Sequence, residues 1–124
     1  MTLDGLTLHF AVQEIREEIT GCKVDKVHQP QPDTIVLALR APGKNPRLLI
    51  CAGAADSRMH LTENKYENPK TPPMFCMFLR KHLSSATITD VSQTEMERIV
   101  SISLEAKDAL GLPRKMTLVA ELMG

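Results

Sequence analysis

The chain has 124 residues, 43% of them apolar, which suits one globular domain with a modest core and excludes an intrinsically disordered segment. Fifteen Lys and Arg balance fifteen Asp and Glu, so the overall cationic character of a free-standing nucleic-acid binder is excluded, while a local patch is not. Cys22, Cys51 and Cys76 have no close metal-ligand spacing and are odd in number, and they read as reduced thiols of a cytosolic protein. Met1-Thr2-Leu3-Asp4 shows no secretory signal, and the longest apolar run, Met74 to Leu79, is too short to cross a bilayer. The expected location is cytoplasmic, with no membrane partner.

Leu8, Ala11, Val12, Ile15 and Ile19 recur at helical spacing, with Gln13, Glu14, Arg16, Glu17 and Glu18 on the other face. They predict an amphipathic helix with Asp4 near its cap and Gly21 at its stop. The period then becomes strand-like over Val24–Gln29, Thr34–Arg40, Arg47–Ala52 and Arg58–Leu61, separated by Gln-Pro-Gln-Pro-Asp and Ala-Pro-Gly-Lys-Asn-Pro turn chemistry. Ile35, Leu37 and Leu39 share one face of their strand and Val36 and Ala38 the other, so both faces are expected to be covered.

Glu63 to Lys70 is a polar loop carrying Tyr66. The second helix follows, from Thr71-Pro72-Pro73 to Leu83, with Thr71 as a capping hydroxyl, proline in the first turn and Arg80-Lys81-His82 at the negative end. Its nearly all-apolar middle predicts burial around most of its circumference. Strands resume over Thr87–Gln93, Arg98–Glu105 and Lys115–Met123. The order predicts a single α+β domain over residues 1–124, a mainly antiparallel sheet or sandwich with two principal helices. The strand that ends at Met123-Gly124 without a polar tail reads as a chain cut within a longer protein.

Catalytic chemistry finds little support. His9, His28, His60 and His82 form no ligand pair and take structural readings, and Gly43-Lys44 lacks the rest of a phosphate loop. Neither a metal nor a cofactor is expected. Cys76, amid methionine and phenylalanine, reads as a small core hydrophobe. Arg58 and Lys65-Tyr66 offer phosphate and stacking contacts but read first as solvated residues, and Arg80 and Lys81 are explained equally by the helix dipole. Glu97-Arg98 lies where the loop Thr94-Glu95-Met96 meets a strand. On local grounds this pair reads equally as a recognition site or as a surface acid and base. Adjacent strand residues face opposite ways, so the two serve one partner only if a turn or bulge intervenes.

Asp4-Gly5, Asp25 to Pro30, Arg58 to Thr62, Pro72 to Leu83, Arg98-Ile99-Val100 and Glu121 to Gly124 together resemble the start of NFACT proteins, also called the fibronectin-binding protein A-like family. The resemblance runs through the whole chain in order, with the Pro-Pro-Met-Phe-Cys-Met helix as its most specific part. It implies an NFACT-N domain similar in fold to the N-terminal domain of formamidopyrimidine-DNA glycosylases. Bacterial members of the family act in ribosome-associated quality control. They bind a large ribosomal subunit carrying peptidyl-tRNA and recruit tRNA for template-free alanine tailing.

The implied partners are that subunit, its rRNA, tRNA, and the C-terminal regions of the same protein. The family's Asp-Arg pair for tRNA falls on Glu97-Arg98, with glutamate in place of aspartate, and Arg58, Lys65, Arg80 and Lys81 are further RNA-contact candidates. The chain is expected not to be an enzyme. Met1-Thr2-Leu3 lacks the N-terminal proline and glutamate of the glycosylases, which argues against repair chemistry. The older family name leaves adhesion to fibronectin as the alternative.

Overall fold

The structure, a computed structural model, describes residues 5–53, 56–95 and 97–122. The cap expected at Asp4, the sequence Met1-Thr2-Leu3, Met96 and the terminal Met123-Gly124 lie outside the described residues. Two helices and seven strands follow in the order α1 (Gly5–Ile19), β1 (Lys23–Gln31), β2 (Thr34–Arg40), β3 (Arg47–Cys51), β4 (Arg58–Leu61), α2 (Met74–Leu83), β5 (Thr87–Gln93), β6 (Ile99–Lys107) and β7 (Pro113–Glu121). The strands form one antiparallel sheet in the order β4-β3-β2-β1-β5-β6-β7. The α+β expectation holds, with a mainly antiparallel sheet in which all seven strands are joined.

β1 joins the two halves of that sheet. Its only register pair with β5 is Lys23↔Thr87, reinforced by Val24 N–H to Ala86 O at 2.9 Å and Ser85 N–H to Val24 O at 2.8 Å. A register shift between Val24 and Lys26 follows in the β1–β2 ladder, and no later residue of β1 is in register with β5. α2 packs against β1, and the Arg80 Nε–H donates to the Val27 carbonyl at 2.8 Å. α1 packs mainly against β5, with Leu8, Val12, Ile15 and Ile19 buried. Both helices therefore cover one face of the sheet, where Val27, Leu37, Leu48, Ile88 and Ile102 complete a shared core. Gly21, at φ 91°, ends α1 in the left-handed conformation that glycine adopts without steric cost, as its position predicts.

Two expectations are corrected. The Gln-Pro-Gln-Pro-Asp separator is mostly strand: β1 runs on to Gln31, and Pro30, which has no N–H to give a ladder, falls where the register slips between His28 and Gln31. The second correction concerns α2. Pro73 occupies its N-cap with no side-chain cap bond, so Thr71 lies outside the helix and does not cap it. Only Cys76, Leu79 and Leu83 are buried, a stripe at helical spacing, whereas Met74, Phe75, Met77 and Phe78 are 87%, 51%, 56% and 56% exposed. The helix lies on the sheet with one face, and the other is largely exposed.

Candidate nucleic-acid interface

Glu97 and Arg98 stand in the β5–β6 turn. β6 begins at Ile99 rather than Arg98, so both residues precede the strand and its alternation does not drive them to opposite faces. The turn is tied by Glu97 N–H to Thr94 O at 2.9 Å and Thr94 N–H to Ile99 O at 3.0 Å, with Glu95 left-handed at φ 49°. Leu122 N–H donates to the Arg98 carbonyl at 2.7 Å and anchors the turn to the end of β7. Glu97 is exposed and Arg98 half-buried.

Gln93 completes this arrangement, and sequence reasoning missed it. Its Nε2 donates to the Glu97 carbonyl at 2.5 Å and to the Gly5 carbonyl at 3.0 Å, which couples the turn to the start of α1. Its Oε1 is buried without a partner among the described residues. A glutamine at a strand end carries no signal by itself. Only the contact across 88 positions identifies it as a brace.

Cations gather on a different surface, the face of β1–β4 opposite the helices. Register places Lys26, Ala38 and Arg47 in one row, and His28, Val36, Leu49 and His60 in the next. Tyr66, from the loop after β4, packs on Val36, Leu49 and Cys51, so this face of β2 is covered as expected. Burial, then the charges of Arg80, Arg47 and Lys26, hold His28 below its ordinary pKa. Arg80 thus stands near other cations from the far side of β1, the condition its functional reading required.

The remaining candidates divide. Lys65 joins His28, Arg47 and Tyr66 in lining a recess on this face. Arg58 is on β4 of the same half but is engaged by Asp56 and by His60, whose Nε2 accepts its Nε–H at 3.2 Å. Lys81 is exposed at the end of α2, without an ion pair or hydrogen bond to any described residue. Glu97-Arg98 belong to the β5–β7 half, across the β1 joint, so the structure does not merge them with these cations.

Other chemistry is sparse. Among the described residues no three His, Cys, Asp or Glu side chains come together as a metal site, and no helix is long and apolar enough to cross a membrane. Cys22, Cys51 and Cys76 are buried free thiols. Burial raises the Cys22 pKa, Lys44 opposing and Glu18 adding to the effect, so this thiol is held in its less nucleophilic form. An apolar cleft of about 500 Å³ lies between β7, the β1–β2 turn and α2, lined by Ile35, Phe75, Leu79 and Leu118 among others.

Both helices lie on one face of the sheet, cations gather on the other, and the Glu97-Arg98 pair stands in a turn braced by Gln93. The chain belongs to the NFACT family: residues 4–124 match the NFACT N-terminal and middle domains. It is 37% identical over 124 residues to the Rqc2 homolog RqcH of Bacillus subtilis, covering 100% of this chain and 22% of that protein. It is 27% identical over 104 residues to the human ribosome quality control complex subunit NEMF, covering 84% of this chain and 9% of that protein. Among solved structures, the N-terminal domain of the fibronectin-binding protein PavA from Streptococcus pneumoniae superposes with a TM-score of 0.94 at 37% identity, over 99% of this chain and 46% of that one. The chain thus spans about a fifth of the length of its RqcH relative. The family resemblance drawn from the sequence is correct.

Proposed function

We propose that this chain is the N-terminal RNA-binding module of a cytoplasmic ribosome-associated quality-control factor. In the full-length protein it helps to hold tRNA on an obstructed large ribosomal subunit, where tRNA feeds template-free alanine tailing of the stalled nascent chain. The carrying observation is the match along the whole chain to RqcH. The module itself is not an enzyme. It positions RNA, and the regions that relatives carry beyond this span supply ribosome anchoring.

Glu97 and Arg98 are the residues assigned to tRNA. A guanidinium serves phosphate or a base edge, and the neighbouring carboxylate accepts from base amino groups or orients the arginine. Glutamate keeps the charge of the family aspartate and adds one methylene. The test is tRNA recovery by the affinity-purified full-length protein carrying Arg98→Ala, Glu97→Ala or Glu97→Asp. Loss in both alanine variants, with retention in Glu97→Asp, is expected, whereas undiminished recovery in both alanine variants removes the assignment.

A second reading rests on PavA, which is named a fibronectin-binding protein. It makes this chain part of an adhesin. Cell fractionation separates the two, because a surface-exposed native pool with no ribosome co-sedimentation would sink the quality-control reading.

A further inference from the structure

The recess on the β1–β3 face has a volume of about 200 Å³ and is lined by His28, Val36, Arg47, Lys65, Tyr66 and Asn68. Its polar groups come from three separate places: His28 from β1, Arg47 from β3, and Lys65, Tyr66 and Asn68 from the loop between β4 and α2. Lys26 stands in the same row as Arg47, and Arg80 acts on His28 from α2. No carboxylate lines the recess.

Four cations elsewhere are paired, Arg16 with Asp90, Arg40 with Asp25, Lys44 with Glu18 and Arg58 with Asp56, while others, such as Lys81, stand singly in solvent. Lys26, Arg47 and Lys65 have no acidic partner among the described residues. Glu18 and Glu63 share an adjoining groove with Arg47 and Lys65 but do not line this recess, and Glu18 pairs with Lys44. Uncompensated cations in a concave site favour an anion, which gains more there than on a flat surface because less water screens it.

Tyr66 narrows the class of anion. It is half-buried on Val36, Leu49 and Cys51, and its hydroxyl lies 3.4 Å from Thr62 Oγ1, so the ring is held in place beside the cations. A fixed aromatic ring next to uncompensated cations is the pairing that unpaired nucleotides use, phosphate on the cations and base on the ring. We propose that this recess binds one nucleotide of single-stranded RNA, with Arg47 and Lys65 on its phosphate and Tyr66 against its base. This is a second RNA contact, separate from the β5–β6 turn, and it rests on the RNA-binding reading of the module.

His28 gives the contact a proton dependence. Facing it are Lys26 on its own strand, Arg47 on β3, Arg80 on α2, and Lys65 and Tyr66 on the loop. Burial, then these cations, disfavour its imidazolium in the free protein. A bound phosphate reverses the local field and favours the imidazolium, so binding takes up a proton and tightens as pH falls through the histidine range.

The experiment measures anisotropy of a labelled single-stranded RNA oligomer with full-length protein across salt and pH. Arg47→Gln and Lys65→Gln are expected each to weaken binding and to lower the slope of log affinity against log salt, by about 0.7 for each phosphate contact removed. Tyr66→Leu, which retains apolar packing, weakens binding with the slope unchanged. His28→Gln abolishes the tightening at low pH.

If Arg47→Gln and Lys65→Gln leave affinity and slope unchanged while Arg98→Ala weakens binding, the recess is overturned and the RNA-binding reading stands. If wild-type full-length protein binds neither the oligomer nor tRNA, both fall. Equal competition by inorganic phosphate and by the oligomer at matched phosphate concentration overturns the nucleotide assignment.

Discussion

His28 and the cysteines show how position within the fold sets the chemistry of single residues. Burial and three cations disfavour the His28 imidazolium, so the unfolded chain takes up a proton near the ordinary pH of about 6.5 and the folded chain only below it. The folded pKa is depressed, so stability is fully present above the ordinary value and is lost as pH falls from there through the lowered one. Urea unfolding at about pH 7.5 and about pH 5.5 is expected to show a loss at the lower pH that shrinks in His28→Gln. The thiols give a second expectation at this scale. Ellman's reagent should react slowly with native protein and report all of Cys22, Cys51 and Cys76 only after denaturation, because each is buried and the Cys22 pKa is raised. Cys76 was legible in the sequence as core because its neighbours are apolar. Gln93 was not, since its two acceptors are fixed only by the tertiary contact between α1 and the β5–β6 turn.

Among the elements, strand-like apolar runs bounded by turn residues located β2, β4 and β5 to the residue. The same reasoning failed for α2. Composition reports how apolar a helix is but not whether anything covers each side of it, and here the sheet covers only the Cys76-Leu79-Leu83 stripe. The difference is measurable by substitution. Leu79→Ala, at a 4% exposed position, is expected to cost about 2–5 kcal/mol in chemical denaturation. Phe78→Ser, at a position 56% exposed, should change the stability of this chain by no more than about 0.5 kcal/mol. The cationic recess was equally hidden. Lys65 was a candidate, yet Arg47 and His28 join it only through the β1–β2–β3 register, which no local pattern reveals.

At the scale of the molecule, the two proposed RNA contacts fall on opposite sides of the place where the sheet divides. The β1–β5 joint has one register pair, whereas β6 and β7 pair along their whole length, so the joint is the weakest seam in an otherwise continuous ladder. The acid-base turn lies on one side of the seam and the recess on the other. An RNA that engages both crosses it. Binding is therefore expected to slow amide hydrogen exchange at Val24, Ser85 and Ile88, which donate or accept across the seam, beyond any slowing in the middle of β6. Uniform protection would instead indicate that the two contacts act independently.

Among the described residues β7 is paired only on its β6 side, and its other edge presents nine residues of backbone with Val119 53% exposed. Such an edge is a template for any extended polypeptide, and edge strands that remain open usually carry an inward charge or a bulge to discourage recruitment. Arg114 and Lys115 guard its start and Glu121 its end, which leaves Met116 to Ala120 as an adhesive stretch for like chains at high concentration. A single lysine at Val119 is the natural gatekeeper: the purified 124-residue chain should scatter light increasingly with concentration, and Val119→Lys should suppress that scatter while leaving the unfolding midpoint in place.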